Sequence, residues 1–309
     1  MSSNESRQPH LDILTLPDIS KSDMDLVDSS FFQSDDSPKR ELPTPASILE
    51  KGGDQGVSVI KIPDLNIAVK IDQATYLRLE EAQTMCAMRQ MFPNGEIPVP
   101  EVFGWRRYNG QVFIYMSLIH GETLRVAWPS LTEDNKLSIQ SDLRQIIMRL
   151  RRITQDAPPV IASVNRGTVQ DRFFKTDYEA GPFFNIKSFN DWVFAAATRQ
   201  RPGPEGISGL DLPEMYRNLL PDTGSVYFTH GDLTLGNIMV SKKSGYQTIE
   251  AIIDWEQAGW YPEYWEYGKM CYGVEVSHEW RTEDWPDKIV EPFEDAWFAM
   301  AEYYVWRCP

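Results

Sequence analysis

Two short segments of the sequence carry the residue types needed for chemistry at a hydroxyl group beside a metal ion. His-Gly-Asp-Leu-Thr-Leu-Gly-Asn at residues 230–237 follows a predicted strand, and Ile-Ile-Asp-Trp stands at residues 252–255. A predicted hairpin between them brings Asp232, Asn237 and Asp254 to one point. A carboxylate can accept a hydroxyl proton, while Asn and Asp oxygens suit a hard cation such as Mg²⁺. An isolated His-Gly-Asp is ordinary turn chemistry, but this combined spacing predicts a reactive site.

These two segments resemble the catalytic and metal-binding loops of the aminoglycoside phosphotransferase family, which has a protein-kinase-like fold. The resemblance implies that Asp232 is the catalytic base and that Asn237 and Asp254 hold Mg²⁺ beside ATP. Gly-Trp-Tyr-Pro-Glu-Tyr-Trp-Glu-Tyr at residues 259–267 is similar to the fungal-type branch of that family. The resemblance spans roughly residues 45–309 and implies transfer of the ATP γ-phosphoryl group to a hydroxyl of a small molecule.

The same resemblance implies a lysine and a glutamate upstream of these loops. Ile-Ala-Val-Lys-Ile at residues 67–71 is similar to the strand whose lysine reaches the ATP phosphates, which assigns that role to Lys70. The helix that follows offers two candidates for the glutamate that orients this lysine. The family pattern Glu-Ala-x-x-Met/Leu favours Glu81, and Glu80 is the alternative.

The adenine site is implied by the segment at residues 114–121, which is similar to the family's hinge between lobes. By position, Ser117 and Ile119 would offer one carbonyl and one N–H to the adenine. Met116 would lie beside the adenine pocket, where it could equally be a core residue.

A loop over the ATP phosphates is expected at residues 51–56, Lys-Gly-Gly-Asp-Gln-Gly. Small residues permit the turn through which backbone N–H groups bind phosphate, and Gly53 and Gly56 are the candidates. The loop lacks the Gly-x-Gly-x-x-Gly pattern of protein kinases, as do the related phosphotransferases.

Hydrophobic periodicity predicts elements that fit this fold. Alternating apolar residues predict hairpins at 56–71 and 102–117, the second around the turn signal Asn-Gly, with a helix at 76–91 between them. A period near 3.6 predicts a helix at 135–152, and another follows at 189–199. We therefore predict an α+β, bilobal protein-kinase-like fold. Its small lobe is an antiparallel sheet with one main helix, and its larger lobe is mainly helical.

The predicted domains are an ATP-binding lobe at 45–119 and a catalytic, acceptor-binding lobe at 120–309, preceded by a tail at 1–44. The tail holds nine Asp/Glu and four Lys/Arg, clusters of Ser and no sustained period. We predict that it is disordered, because its apolar content is too low to offset the entropy cost of ordering it.

Composition excludes several function classes. The 309 residues carry a net charge of −15, which argues against a nucleic-acid partner and fits an acceptor that is cationic or bears an amine. No apolar run is long enough for a membrane span, and no secretory signal precedes the polar start. Three cysteines are too few and too scattered for a disulfide framework. We expect a cytoplasmic protein with no membrane partner.

Other functions stay open from the sequence. A choline- or amine-kinase-like activity would use the same motifs, and a non-catalytic member of the fold would bind the nucleotide without turnover. A protein acceptor is disfavoured, because no Ala-Pro-Glu-like motif follows Asp254.

Overall fold

A five-stranded antiparallel sheet with one main helix forms the small lobe, and helices with two three-stranded sheets form the large lobe, which confirms the predicted fold. The computed structural model describes residues 8–33, 40–52, 58–171, 180–197, 214–243 and 246–307. In these ranges the strands are β1 Asp23–Asp25, β2 Ser58–Ile62, β3 Ile67–Gln73, β4 Val102–Tyr108, β5 Gln111–Ser117, β6 Glu122–Thr123, β7 Ala162–Ser163, β8 Val226–Thr229, β9 Ile238–Lys243, β10 Tyr246–Ile252 and β11 Gly259–Pro262. The helices are α1 Pro45–Gly52, α2 Glu80–Met91, α3 Leu124–Ala127, α4 Glu133–Leu150, α5 Ile186–Ala197, α6 Glu214–Asn218, α7 Trp265–Tyr272, α8 Glu279–Thr282, α9 Trp285–Ile289 and α10 Glu294–Arg307.

Strand β3 is an inner strand of the small-lobe sheet, between β5 and β2 in the order β1-β4-β5-β3-β2. Successive side chains of a strand point to opposite faces. On one face of β3, Ile67, Val69 and Ile71 pack in a cluster with residues of α1. On the other face, Ala68 packs in the cluster that contains α2. Lys70 follows Ala68 by two residues, so this alternation directs its side chain toward α2.

Both predicted hairpins are present, and the second turns at Asn109-Gly110 with positive φ angles of 49° and 77°. The predicted helix at 76–91 is shorter than expected. It begins at Glu80, because the preceding residues form turns whose amides donate to the Gln73 carbonyl.

In the large lobe, the predicted helix at 135–152 is α4, which begins and ends two residues earlier than predicted. The Thr132 hydroxyl caps it by accepting from the Asn135 amide, and its buried residues follow the predicted period. The antiparallel pair β9 and β10 is the hairpin expected between the segments at residues 230–237 and 252–255. Two small sheets, β10-β9-β6 and β7-β11-β8, flank those segments.

The prediction of a disordered tail at 1–44 is wrong for the N-terminal segment, which we define as residues 8–33. Strand β1 pairs with β4 at the edge of the small-lobe sheet. The Leu11 amide donates to the Thr154 carbonyl at 2.9 Å, and Phe31 stacks on Phe103 with ring centroids 5.3 Å apart. Leu11 and Phe31 are each 3% exposed. The segment gains its burial from surfaces distant in sequence, so its own periodicity gave no sign of it.

Other predictions lie outside the described ranges or stay predictions. Gly53 and Gly56 belong to residues 53–57, which the structure does not describe. The lobe boundaries at 45–119 and 120–309 stay predictions. Across the described residues, no helix has the length and apolar character needed to cross a membrane.

Candidate active site

A cavity of about 470 Å³ lies between the two lobes. Its apolar walls come from both sides: Val59 and Ala68 belong to the small-lobe sheet, while Met239 and Ile253 belong to the large lobe. Met116, at the end of β5, also lines it. A volume of this order and two facing apolar walls are suited to a flat, drug-sized ligand.

Lys70 is in contact with three carboxylates at the polar end of this cavity. Its Nζ donates to Glu81 Oε2 at 2.8 Å, to Asp254 Oδ1 at 2.5 Å and to Glu256 Oε2 at 3.3 Å. Glu80 points elsewhere and accepts from Arg78 at 2.8 Å. Of the two candidate glutamates, the structure therefore places Glu81 against the lysine.

The charges of this cluster are unbalanced, with three carboxylates around one ammonium group. Burial by itself would lower the pKa of Lys70, but the three carboxylates outweigh it and the pKa is raised, so the lysine stays protonated. Burial raises the pKa of Glu81 to about 7, against the lowering effect of Lys70 and with a further rise from Asp254 and Glu256. The cluster thus has an excess of negative charge that a bound cation would relieve.

The loop at residues 230–237 holds Asp232 and Asn237 together. Asn237 Nδ2 donates to the Asp232 carbonyl at 2.8 Å and to Asp232 Oδ2 at 2.9 Å. The Thr234 amide closes the turn on the Asp232 carbonyl, and the Ile253 amide donates to the Asn237 carbonyl. Because both bonds of the Asn237 side chain to Asp232 come from the amide nitrogen, its oxygen is the atom available as a ligand.

His230 shapes this loop as a neutral imidazole. Its Nδ1 accepts from the Asp232 amide at 3.1 Å, and its Nε2 lies 3.1 Å from the Ile253 carbonyl, which requires the proton on Nε2. Burial lowers the pKa of His230 to about 4, so the ring carries no charge at neutral pH. The ring also packs against Trp255, with centroids 4.5 Å apart. These contacts give His230 a structural role in the loop.

Glu266, in the first turn of α7, contacts the same loop. Its Oε2 accepts a hydrogen bond from the His230 amide at 2.7 Å, and Glu266 as a whole is 4% exposed. Burial raises its pKa to about 7, although the His230 and Gly231 amides lower it. Gly231 has φ +77°, and a Cβ there would meet the Gln257 carbonyl at 2.7 Å, so the loop needs glycine at this position.

Asp254 adopts a backbone conformation that is uncommon among residues other than glycine. Its φ and ψ are 65° and 58°, in the left-handed region that favours glycine. Such a conformation costs on the order of 1 kcal/mol and is found most often at functional sites. It directs the carboxylate of Asp254 to Lys70 at the turn between β10 and the short 3₁₀ helix at Trp255–Gln257.

The expected hinge residues Ser117 and Ile119 line the same cavity. The Ser117 amide donates to the Glu101 carbonyl at 2.8 Å, and the Leu118 amide donates to the Asn66 carbonyl at 3.0 Å. Within the part of the chain that the structure describes, the Ile119 amide has no backbone acceptor. Of these three amides, the Ile119 amide is the one in a position to donate a hydrogen bond to the base of a bound nucleotide.

The donor set is chemically suited to a hard divalent cation. Carboxylate oxygens of Glu81, Asp254 and Glu256 lie within 4.8 Å of one another, and Asn237 lines the same cavity as Asp254. Oxygen ligands with excess negative charge are what Mg²⁺ prefers. Glu256 was not identified from the sequence, although a carboxylate two residues after Asp254 was a signal that could have found it.

Comparisons with known proteins identify a family and a similar fold. The model of the phosphotransferase enzyme family matches residues 67–307. The GDP complex of aminoglycoside 2'-phosphotransferase-IIIa is 12% identical, with a TM-score of 0.50, and the match covers 84% of this chain and 87% of that chain. The ADP and streptomycin complex of aminoglycoside phosphotransferase APH(3'')-Id from Streptomyces rimosus ATCC10970 is 17% identical, with a TM-score of 0.47 and coverage of 82% and 95%. A search of curated proteins finds no match.

At these identities, the similarity to solved structures shows the fold alone. The family match, in contrast, spans both lobes and includes Lys70, Asp232 and Asp254. It confirms the family that the two loop segments indicated, while the fungal-type branch stays a prediction. Since the matched residues make up well over half of the chain, the protein belongs to the phosphotransferase enzyme family.

Proposed function

We propose that this protein transfers the γ-phosphoryl group of ATP to a hydroxyl group of a small molecule, with Mg²⁺ held by Asn237 and Asp254. One observation carries the proposal: a buried lysine at the wall of the cavity lies 2.8 Å from Glu81 and 2.5 Å from Asp254. A fixed positive charge at the wall of the cavity supports the binding of nucleotide phosphates there.

Each residue has a separate role in the proposed reaction. Lys70, oriented by Glu81, binds the phosphates, and the Ile119 amide donates to the adenine. Bound Mg²⁺ would neutralise charge on the transferred phosphoryl group. The oxygen of the acceptor hydroxyl forms a bond to the γ-phosphorus while the bond to the β–γ bridging oxygen breaks. The hydroxyl proton goes to the Asp232 carboxylate, whose position the Asn237 side chain fixes.

The acceptor that we propose is cationic or amine-bearing. The support for this is the net charge of −15, since a surplus of carboxylates favours the approach of a positively charged ligand. A choline- or amine-kinase-like activity falls within the same proposal as one choice of acceptor.

A screen of phosphoryl acceptors tests the function. The full chain is incubated with Mg²⁺ and either ATP or GTP, and with aminoglycosides, cholines, amino sugars and hydroxy amino acids in turn. Phosphorylated product is measured by mass spectrometry. With an acceptor in hand, Asp232→Asn should lower turnover by about 10²–10⁴-fold, because it removes the general base.

The matched control is binding of a non-hydrolysable nucleotide. Asp232→Asn should bind MgAMP-PNP within about twofold of the wild type, because Asp232 acts on the acceptor rather than the nucleotide. Wild-type turnover in this variant would refute the assignment of the base. No nucleotide binding by the wild-type protein would refute the proposed function itself.

A further inference from the structure

Helix α2 is buried on two opposite faces. Glu81 points into the cleft and is 2% exposed, while Gln83 is 5% exposed. Two residues along a helix are separated by about 200° around its axis, so Gln83 points away from the cleft. On a helix that only packs on a sheet, this outer face would meet solvent and carry polar residues. Something other than the sheet therefore covers it.

The cover is the N-terminal segment together with a loop of the large lobe. Gln83 Nε2 donates to the Pro17 carbonyl at 2.8 Å, and Gln83 Oε1 accepts from Asn165 Nδ2 at 3.1 Å. One side-chain amide thus joins three parts of the molecule. Further along the helix, the Thr15 hydroxyl donates to Gln90 Oε1 at 3.2 Å.

The N-terminal segment is anchored on both lobes. At one end, its residues 8–11 run beside the chain that follows α4: the Leu11 amide donates to the Thr154 carbonyl, and the Thr154 amide donates to the Pro9 carbonyl, each at 2.9 Å. At the other end, β1 pairs with β4, and Trp105 Nε1 donates to the Lys21 carbonyl at 3.1 Å. The residues between these two anchors cross α2.

Helix α2 begins without a side-chain cap. Its N-cap residue, Leu79, makes no side-chain capping hydrogen bond. An uncapped first turn lacks a side-chain partner for its amide groups, although the Glu81 amide donates to the Arg78 carbonyl at 3.2 Å. Glu81 lies in this first turn. A contact that holds α2 from outside therefore adds to the restraint that Lys70 and the core packing of α2 place on Glu81.

We propose that the N-terminal segment is a brace that fixes α2 against both lobes, and that Gln83 is the positioning residue through which it holds Glu81 against Lys70. The inference rests on the proposed function in one respect, since it assumes that the Lys70–Glu81 pair serves nucleotide binding. The effect of the brace on the local stability of α2 can be measured without any substrate.

The test uses three variants of the full chain. Gln83→Met keeps the side-chain length and removes both hydrogen bonds. Leu11→Ala loosens the N-terminal segment at its large-lobe anchor and leaves the Gln83 side chain intact. Thr84→Val is the control: it removes a buried hydrogen bond within the same helix, from the Thr84 hydroxyl to the Glu80 carbonyl, and among the described residues this hydroxyl has no hydrogen bond to the N-terminal segment. The readouts are hydrogen–deuterium exchange of α2 amides and the Kd for MgAMP-PNP.

In Gln83→Met and Leu11→Ala, we expect α2 amides to exchange about 5–10-fold faster than in the wild type. Opening of the helix costs less free energy in these variants, because the contacts that the substitutions remove no longer have to be broken. The Kd for MgAMP-PNP should rise about 3–10-fold in both. Thr84→Val should stay within about twofold of the wild type in both readouts.

Unchanged α2 exchange in Gln83→Met and Leu11→Ala would overturn the brace. Equal effects in Thr84→Val would also overturn it, because they would show a general loss of packing. If the wild-type protein bound no MgAMP-PNP, the proposed function would fail separately, and α2 exchange would still decide the brace. If Gln83→Met does not fold, exchange in Leu11→Ala decides it.

Discussion

On the cleft side of α2, Glu81 meets Lys70 within a cluster of three carboxylates, whereas on the opposite side Gln83 meets a carbonyl and an amide that carry no charge. The cleft side is therefore sensitive to protons and to bound cations, because Coulomb forces dominate in a buried cluster. The outer side depends on hydrogen bonds and apolar packing, which respond little to either. One helix thus has a face that can respond to ligands and a face that keeps it in place.

The largest expected effect is on the cleft side. Asp254→Ala removes a charged metal ligand and one partner of Lys70, so the Kd for MgAMP-PNP should rise about 10–100-fold. Asn237→Ala removes a neutral ligand and should raise the Kd less. Calorimetry at matched Mg²⁺ concentrations measures both. Affinity like that of the wild type in both variants would contradict the proposed metal site.

A second prediction separates the two sides by pH. Burial raises the pKa of Glu81 from its usual 4.5 to about 7, so between these values the folded protein holds a proton that the unfolded chain has lost. The free energy of unfolding therefore falls as the pH rises through this window, by at most about 1.4 kcal/mol per pH unit. In Glu81→Gln this contribution disappears.

Urea unfolding at several pH values between 4.5 and 7 measures the slope. Glu81→Gln should show a less negative slope than the wild type, while Gln83→Met should keep the wild-type slope at a lower stability. Glu266 and His230 are unchanged in both variants, so their titration cancels in the comparison. Equal slopes in the wild type and Glu81→Gln would show that Glu81 does not titrate in this range.

The smallest effect is expected for the neighbouring glutamate. Glu80 pairs with Arg78, whose side chain is 40% exposed, and surface pairs of this kind contribute less than about 1 kcal/mol. Glu80→Ala should therefore leave the Kd for MgAMP-PNP within about twofold of the wild type. A strong effect of Glu80→Ala, with little effect of Glu81→Ala, would reverse the assignment of the lysine partner.

The sequence predicted the elements whose information is local. The Asn109-Gly110 turn, the α4 period and the loop at 230–237 are short patterns whose residue types specify their conformation or chemistry. The proximity of Asp232 and Asn237 followed from one such loop. Lys70 and Glu81 could be placed because a strand and a helix have fixed periods, once the family supplied which residues to examine.

The features that the sequence did not predict are those that depend on contacts between residues far apart along the chain. The Leu11 amide pairs with the Thr154 carbonyl after α4, and β1 pairs with the edge that β4 offers. Hydrophobic periodicity marks segments that form a helix or a long strand. The N-terminal segment forms neither, so it carries no such periodicity. Glu256 was missed as a site residue for a similar reason, since a carboxylate acquires its role from the lysine that the fold brings to it.

Strand β1 has a consequence for how copies of this protein behave toward each other. An uncovered sheet edge presents free N–H and C=O groups that another chain can pair with. Here β4 would be such an edge, and β1 covers it with a strand of three residues whose Asp25 pairs with Arg106 of β4. A chain that begins near Leu42 would expose β4, and we expect it to self-associate with rising concentration. The N-terminal segment thus closes a sheet edge that would otherwise be open to pairing with a second chain.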